Sequence, residues 1–151
     1  MTVIETVPQA LDAPERLFNE VLDSSVPDWL YVARDLWSGP LPDVAASVAV
    51  PIWRDPWMVV GSSTSTGDLL RRAGLGNAFA DHPDRYPTLA LDESAQRDVD
   101  MVLLPDEPYV FNEDDGPEAF PHTDPAGQRS ADHLVRAVLG ARSRHADRAR
   151  R

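Results

Sequence analysis

The stretch from residue 47 to residue 111 constrains the fold more than any other part of the chain. It contains three short apolar runs of strand length and one segment with the spacing of an amphipathic helix that ends at Gly74. The strand candidates are Val48–Trp53, Trp57–Val60 and Met101–Leu104, and the helix candidate is Asp68–Ala73. The order strand, strand, helix, strand predicts an α/β layer whose near-continuous apolar strands are covered on both faces.

Two helical segments are predicted before this block. A short β-prone run at Thr2–Val7 predicts a strand that Pro8 ends. Apolar residues recur at helical spacing in Ala10–Leu22, where an aspartate and a proline favour a helix start near Ala13. Pro27–Trp37 predicts a second helix, which a Gly/Pro-rich segment then ends.

Charge and composition exclude several classes of protein. Residues 1–128 carry 7 Arg against 23 Asp or Glu, whereas residues 129–151 carry 7 Arg against 2 Asp. An acidic body does not suit nucleic acid, whose binding depends on neutralising phosphates. The chain has no cysteine, which excludes disulfides and thiolate metal sites. It has no apolar run long enough to span a membrane and no secretory signal as written, so we expect no membrane insertion and a cytoplasmic location.

Two loops that carry aromatic and charged residues are candidate binding elements. Trp53, Arg54 and Trp57 surround a predicted strand-to-strand junction, where exposed indoles and guanidinium groups favour ligand binding. The alternative is that both indoles pack into the core beside an Arg54–Asp55 surface pair. Pro105–Tyr109 follows the last predicted strand, at the strand end where α/β sheets bind ligands, which favours a binding role. The alternative is that this segment is a rigid turn with solvated carboxylates.

Two further loops favour structural roles. The Ser/Thr/Gly turn before the predicted helix lacks the lysine and spacing of a phosphate loop, so helix capping by Ser65 or Thr66 is favoured. The Asp/His-rich segment that ends at Pro87 is predicted to be a solvated loop that presents Arg85 and Tyr86. The alternative there is the zinc site of a cytoplasmic metal-dependent hydrolase. Its ligands would be Asp81, His82, Asp84 and His122.

No nucleophile–base pair or paired carboxylate with acid–base geometry is evident, so the sequence does not indicate an enzyme. The series PIWRDPWMVVG, GDLLRRAGLGNAFAD, RYPTLALDE and DVDMVLLPDEPYVF resembles the helical-backbone (class III) substrate-binding proteins of ABC importers. In that family two α/β lobes are joined by a long rigid helix and bind ligand between them. The resemblance implies a three-layer αβα lobe with a small, mainly parallel sheet, preceded by a connecting helical segment.

The resemblance also implies a division of the chain and a function. Residues 1–43 would be a remnant strand and the connecting backbone helix, 44–121 the substrate-binding lobe, and 122–151 an atypical tail. The ligand would be a corrinoid, haem or ferric-siderophore-like chelate, and the partner an ABC permease. Such receptors are usually periplasmic or at the cell surface. The first lobe is not in this sequence, so we expect a partial chain with weak or no activity.

Site residues follow from the same resemblance. Tyr86 would face the ligand with Arg85 beside it, and Asp92 or Glu93 would dock onto a permease. Weaker candidates for ligand binding, chosen from their loop positions, are Trp53, Arg54, Trp57 and Glu107. We expect no catalytic residue, no cofactor and no resident metal. The other possibility is a non-catalytic interaction module that associates through an exposed apolar face.

The Arg-rich tail departs from the family pattern. One permitted coding of Ala131–Gly140, read from its second base, encodes LTTWYGPSL, which is similar to the LTWYGP-like segment that the family pattern implies there. We therefore predict a change of reading frame between Pro121 and Ala131, which the genomic DNA tests. The alternative is an amphipathic helix at His133–Arg142 followed by a basic coil.

Overall fold

The computed structural model describes residues 3–90, 92–93, 97–112, 115, 119–121 and 129–130. Helices α1 and α2 come first, followed by strands with helix α3 between β3 and β4. The helices are α1 (Val7–Arg16), a π-helical turn (Leu17–Val21), α2 (Asp28–Trp37) and α3 (Ser65–Arg72). The strands are β1 (Ala46–Ala49), β2 (Pro51–Arg54), β3 (Trp57–Val59), β4 (Leu75–Asn77), β5 (Met101–Leu104) and β6 (Arg129–Ser130).

The main sheet has the order β4-β1-β5-β6 in the described residues, with every pairing between them parallel. Successive side chains of a strand point to opposite faces. Val48 therefore lies in one apolar core with Leu70 of α3, and Ala49 lies in the other with Phe79. Both faces of the sheet are buried, as the apolar strands predicted. The α/β class and the mainly parallel sheet are confirmed.

Strands β2 and β3 form a separate antiparallel hairpin that leaves the carboxyl end of β1 through Val50. The predicted strand-to-strand junction is confirmed, with its turn at Asp55 and Pro56. The single strand predicted over Val48–Trp53 is wrong, because the chain divides at Val50 into β1 of the main sheet and β2 of the hairpin. A later segment then runs along the other edge of β3, where Val59 N donates to Pro87 O at 3.1 Å and Leu89 N donates to Trp57 O at 2.8 Å. The hairpin and this segment cover the face of the main sheet opposite α3.

Helix α3 begins and ends as its local chemistry requires. Thr64, rather than the predicted Ser65 or Thr66, is the N-cap, and its hydroxyl accepts from Gly67 N at 3.0 Å. Thr64 has extended backbone angles, which leave its hydroxyl facing the free amides of the first turn. The predicted stop at Gly74 is confirmed, because this residue has φ +81° just after the helix.

The predicted strand over Thr2–Val7 is wrong for its described residues. Residues 3–5 have no strand, and Thr6 caps α1 through a capping box with Gln9. Helix α1 therefore begins at Val7, six residues before the predicted start near Ala13. The sequence suggested a later start because Pro14 resembles a first-turn proline, but it lies inside α1, just before the π-helical turn.

The second predicted helix is confirmed as α2 (Asp28–Trp37), and it buries only part of its apolar surface. Leu30 is fully buried, whereas Trp29 is 57% exposed. The residues before the main sheet fold into two short helices, where the family resemblance implied one long connecting helix. Asp68 of α3 accepts from Val7 N at 2.7 Å and from Arg72 Nε at 2.7 Å. The bond from Val7 N holds the start of α1 against α3, and the bond from Arg72 lies within α3.

The described part of the chain contains no helix that is both long and apolar enough to cross a membrane. Residues 129–130 pair with β5 as its second parallel neighbour. The predictions for the rest of 122–151, including the change of frame and the helix at His133–Arg142, fall outside the described residues. The proposed division at residues 43 and 121 stays a prediction.

Candidate functional site

The candidate site lies at the carboxyl ends of neighbouring strands. From β1 the chain crosses through α3 to β4 on one side, and it later returns as β5 on the other side. Open α/β sheets bind ligands where the strand order reverses in this way. The β2–β3 hairpin leaves β1 at this point, and the loop 105–111 leaves the adjacent β5.

Hairpin and loop residues meet in a patch that we call the hairpin patch, made of Trp53, Arg54, Tyr109 and Asp115. The rings of Trp53 and Tyr109 pack edge to face with centroids 5.6 Å apart. Tyr109 also contacts the ring of Phe111 at 4.6 Å. Trp53 remains 43% exposed, so this aromatic pair presents an indole to solvent. The ring of Tyr109 supports that indole.

A buried carboxylate holds the arginine of the hairpin patch. Arg54 Nη1 lies 2.6 Å from Asp115 Oδ1, and the Asp115 side chain is fully buried. The other oxygen, Oδ2, accepts from Asn112 N at 2.9 Å. A buried carboxylate is costly unless it is paired, so this ion pair fixes the guanidinium at the rim. Trp, Tyr and Arg are the residues that carry most binding energy at protein surfaces.

Trp57 is not part of this surface. It is buried in the first apolar core, stacked on Phe111 with centroids 5.8 Å apart and edge-on to Phe120 at 6.0 Å. For this indole the core alternative holds, and we remove Trp57 from the candidate ligand-binding residues. Trp53 and Trp57 fall on opposite sides of the hairpin turn, and only Trp57 faces the main sheet.

Arg85 and Tyr86 lie on a loop that packs closely against the end of β3. Gly61 N donates to Arg85 O at 2.8 Å. A Cβ at Gly61 would lie 2.2 Å from Asp84 O and 2.8 Å from Pro87 Cδ, so only glycine allows this approach. The side chain of Arg85 forms an ion pair with Glu5 at 2.6 Å, and Tyr86 is 45% exposed.

The candidate ligand-binding residues do not all lie together. Trp53 pairs with Met58 near the hairpin turn, whereas Arg85 O accepts from Gly61 N. Gly61 lies three residues after Met58, which is about 10 Å along an extended chain. The structure thus forms one group around Trp53 and Arg54 and another around Arg85 and Tyr86. Exposed Glu107 lies in the loop that also carries Tyr109.

The predicted permease-docking residues lie in a short helical turn after the Tyr86 segment. Asp92 is exposed and Glu93 is half-buried, with Glu93 N donating to Ala90 O at 3.1 Å. Their exposure is compatible with docking to another protein. Their role in docking stays a prediction.

The alternative zinc site gains no support from the geometry. Asp81 forms an ion pair with Arg97 at 2.8 Å, and Arg97 also covers the ring of Phe79. His82 Nδ1 accepts from Asp84 N at 3.0 Å. In the described part of the chain, no three His, Asp or Glu side chains lie close enough to share a metal ion. The fourth candidate ligand, His122, lies outside that part.

A cleft of about 190 Å³ lies between α1 and α2. Arg34 lines it and pairs with both Asp12 and Glu15. Pockets for drug-sized ligands are usually about 300–1,000 Å³, so a tetrapyrrole does not fit this cleft. We therefore place the candidate site at the hairpin patch and the Arg85–Tyr86 loop.

Three contributing residues were missed from the sequence. Tyr109 stands in the quoted Pro105–Tyr109 motif, and its aromatic ring beside a strand end was a usable signal. Asp115 is one of several acids in a short run, and nothing local distinguishes the buried one. Glu5 pairs with a residue 80 positions away, which no local pattern indicates.

No protein-family model matches the chain, and no curated protein matches it. Several solved structures do. The periplasmic vitamin B12 binding protein BtuF of Vibrio cholerae aligns with TM-score 0.51 and 16% identity, over 68% of this chain and 42% of that one. The periplasmic heme binding protein HutB of Vibrio cholerae aligns with TM-score 0.52 and 14% identity, over 76% and 54%. A possible iron-binding (periplasmic solute-binding) protein from Staphylococcus epidermidis aligns with TM-score 0.51 and 14% identity, over 70% and 43%.

The chain has the fold of the aligned part of these solute-binding proteins. The resemblance stated from the sequence motifs is thus confirmed at the level of the fold. The chain spans 42–54% of the length of these three proteins. All three are named for binding rather than for catalysis. Ligand, transporter and residue roles are not carried over by similarity at this level of identity.

Proposed function

We propose that this chain is a substrate-binding lobe of an ABC-type importer receptor, or of a homologue of one, for a corrinoid, haem or ferric-siderophore-like ligand. The observation that carries the proposal is the hairpin patch. It holds an exposed indole, a phenol and a guanidinium on a buried carboxylate, at the strand ends where this kind of sheet binds ligands. Such groups suit a flat, bulky chelate with polar edges.

In this proposal Trp53 and Tyr109 contact the face of the ligand, and Arg54 and Glu107 contact its polar edge. Asp115 is a positioning residue, because it acts through Arg54. Tyr86 and Arg85 contact another part of a ligand that is wide enough to reach both groups. Asp92 and Glu93 contact a permease, and residues 44–121 form the lobe, with 1–43 as the lead-in to it.

We expect weak binding. The exposed indole of Trp53 lies on an open surface, and the chain matches only part of each solute-binding protein. Ligand pockets usually bury most of the ligand surface, which one open patch does not achieve. Contacts from a facing lobe would bury more of the ligand and raise the affinity.

The first prediction tests this proposal by titration of tryptophan fluorescence with haemin, cyanocobalamin and a ferric hydroxamate. We expect saturable quenching with at least one of them, and Trp53→Phe weakens the fitted affinity. Trp29→Phe is the matched control, because Trp29 is an exposed tryptophan of α2 that is not part of the hairpin patch. The proposal is overturned if none of the three compounds binds, or if Trp53→Phe binds as wild type does.

A further inference from the structure

The guanidinium of Arg85 is held by the carboxylate of Glu5, which lies 80 positions earlier in the chain. Arg85 Nη1 lies 2.6 Å from Glu5 Oε1, and both side chains are partly exposed. The backbone around Arg85 is fixed independently, since Arg85 O accepts from Gly61 N and Pro87 O accepts from Val59 N. The Arg85 side chain is therefore free to change partner without movement of its loop.

An ion pair in contact with water contributes little net free energy, so a competing anion replaces such a partner readily. A guanidinium offers five donors in a planar fork that matches carboxylate and phosphate groups. Glu5 is held in place near α1, because its own N–H donates to Gln9 Oε1 at 2.8 Å. Its carboxylate is therefore a resident group at Arg85 whenever no other anion is present.

We propose that Glu5 is an internal competitor for Arg85, which the carboxylate or phosphate of an anionic ligand must displace on binding. This inference rests on the proposed function and adds a specificity residue to it. Glu5 lowers the affinity for ligands with an anionic edge and leaves the affinity for neutral analogues unchanged. The lobe thereby discriminates between ligands by the charge of their periphery.

The test compares Glu5→Gln with wild type in Soret titrations with haemin, which has two propionates, and with its dimethyl ester, which has none. Glu5→Gln should bind haemin up to about five-fold more tightly, the range expected for loss of one solvent-exposed ion pair. It should bind the ester as wild type does. Glu20→Gln is the matched control, because it removes an exposed carboxylate from the π-helical turn and should leave both affinities unchanged.

The same comparison is made with cyanocobalamin and phosphate-free dicyanocobinamide if the wild type binds corrinoids. The inference fails, and the proposed function stands, if the wild type binds the ligands but Glu5→Gln prefers the anionic ligand over its neutral analogue by the same factor as wild type does. It also fails if Glu5→Gln weakens both members of a pair, because Glu5 would then only support the loop. Absence of binding by wild type to every compound overturns the inference together with the haem and corrinoid part of the proposed function.

Discussion

At the scale of single residues, two positions decide how the loops of the candidate site are held. Gly61 lets the loop of Arg85 and Tyr86 approach the end of β3 closely enough for a main-chain hydrogen bond. Thr64 caps α3 just after it, with its side chain almost completely buried. Both roles depend on atoms only a few ångströms away, so single substitutions test them directly.

We predict that Gly61→Ala lowers the free energy of unfolding by about 1–3 kcal/mol, the usual cost of forcing atoms into a packed site. The added Cβ would overlap Asp84 O, so the loop must move. Urea unfolding measures the change. Gly39→Ala is the control, because a Cβ added at Gly39 would meet no neighbouring atom within 4 Å, and it should change stability by less than about 0.5 kcal/mol. Equal stability of both variants would contradict the close approach.

We also predict that Thr64→Ala lowers the free energy of unfolding by about 1 kcal/mol, through loss of the bond to Gly67 N. Ser65→Ala should cost less, because Ser65 is already the first residue inside the helix. Thermal unfolding followed by circular dichroism measures both. The reverse ranking would mean that Ser65 is the cap, as the sequence pattern had suggested.

At the scale of elements, polar contacts from α3 join the two N-terminal helices to the lobe. Asp68 accepts from Val7 N at the start of α1, and Arg72 donates from Nη1 to Trp37 O at the end of α2, at 2.5 Å. Asp68 and Arg72 also bond to each other. The Asp68–Arg72 ion pair of α3 therefore forms hydrogen bonds to both α1 and α2.

We predict that Asp68→Asn speeds amide hydrogen exchange in α1 and α2 and leaves β1 and β5 unchanged. The neutral amide accepts more weakly and no longer pairs with Arg72, so the helices open locally while the sheet stays folded. Mass spectrometry of exchanged peptides measures this. Asp106→Asn, in the exposed loop after β5, is the charge-matched control. If α1 and α2 exchange at the wild-type rate in both variants, apolar contacts alone hold the helices.

At the scale of the whole molecule, the main sheet separates two apolar cores. Val59 lies in the core under the hairpin, and Val48 lies in the core under α3, each with no exposed surface. Adjacent residues of β1 and of β5 contribute to opposite cores. Because the same strands supply both cores, we expect the lobe to unfold as one unit.

We predict that Val59→Ala and Val48→Ala each lower the free energy of unfolding by about 2 kcal/mol, through lost burial and the cavity left behind. In both variants the urea transitions seen by tryptophan fluorescence and by circular dichroism should shift together. Val110→Ala, which is 74% exposed, is the control and should change little. A variant that shifts only one signal would show that the cores unfold separately.

Much of the fold was predictable because its determinants are local. The hairpin, α3 and its stop at Gly74, α2 and β5 follow from apolar runs, helical spacing, proline and glycine. The start of α1 was missed because Pro14 suggested a first turn, while the Thr6–Gln9 capping box had already started the helix. β4 was missed because Leu75–Asn77 contains a glycine and has too few residues to show a period.

The sequence by itself determined the α/β class, the positions of α2, α3, β3 and β5 and the loops that carry aromatic and arginine residues, because side-chain periodicity and turn chemistry act over a few residues. Only the tertiary structure decided that Trp53 is exposed and Trp57 buried, that Asp115 holds Arg54, and that Glu5 holds Arg85. Burial and long-range ion pairs depend on which elements meet in space. Identical side chains on either side of one turn therefore have different roles.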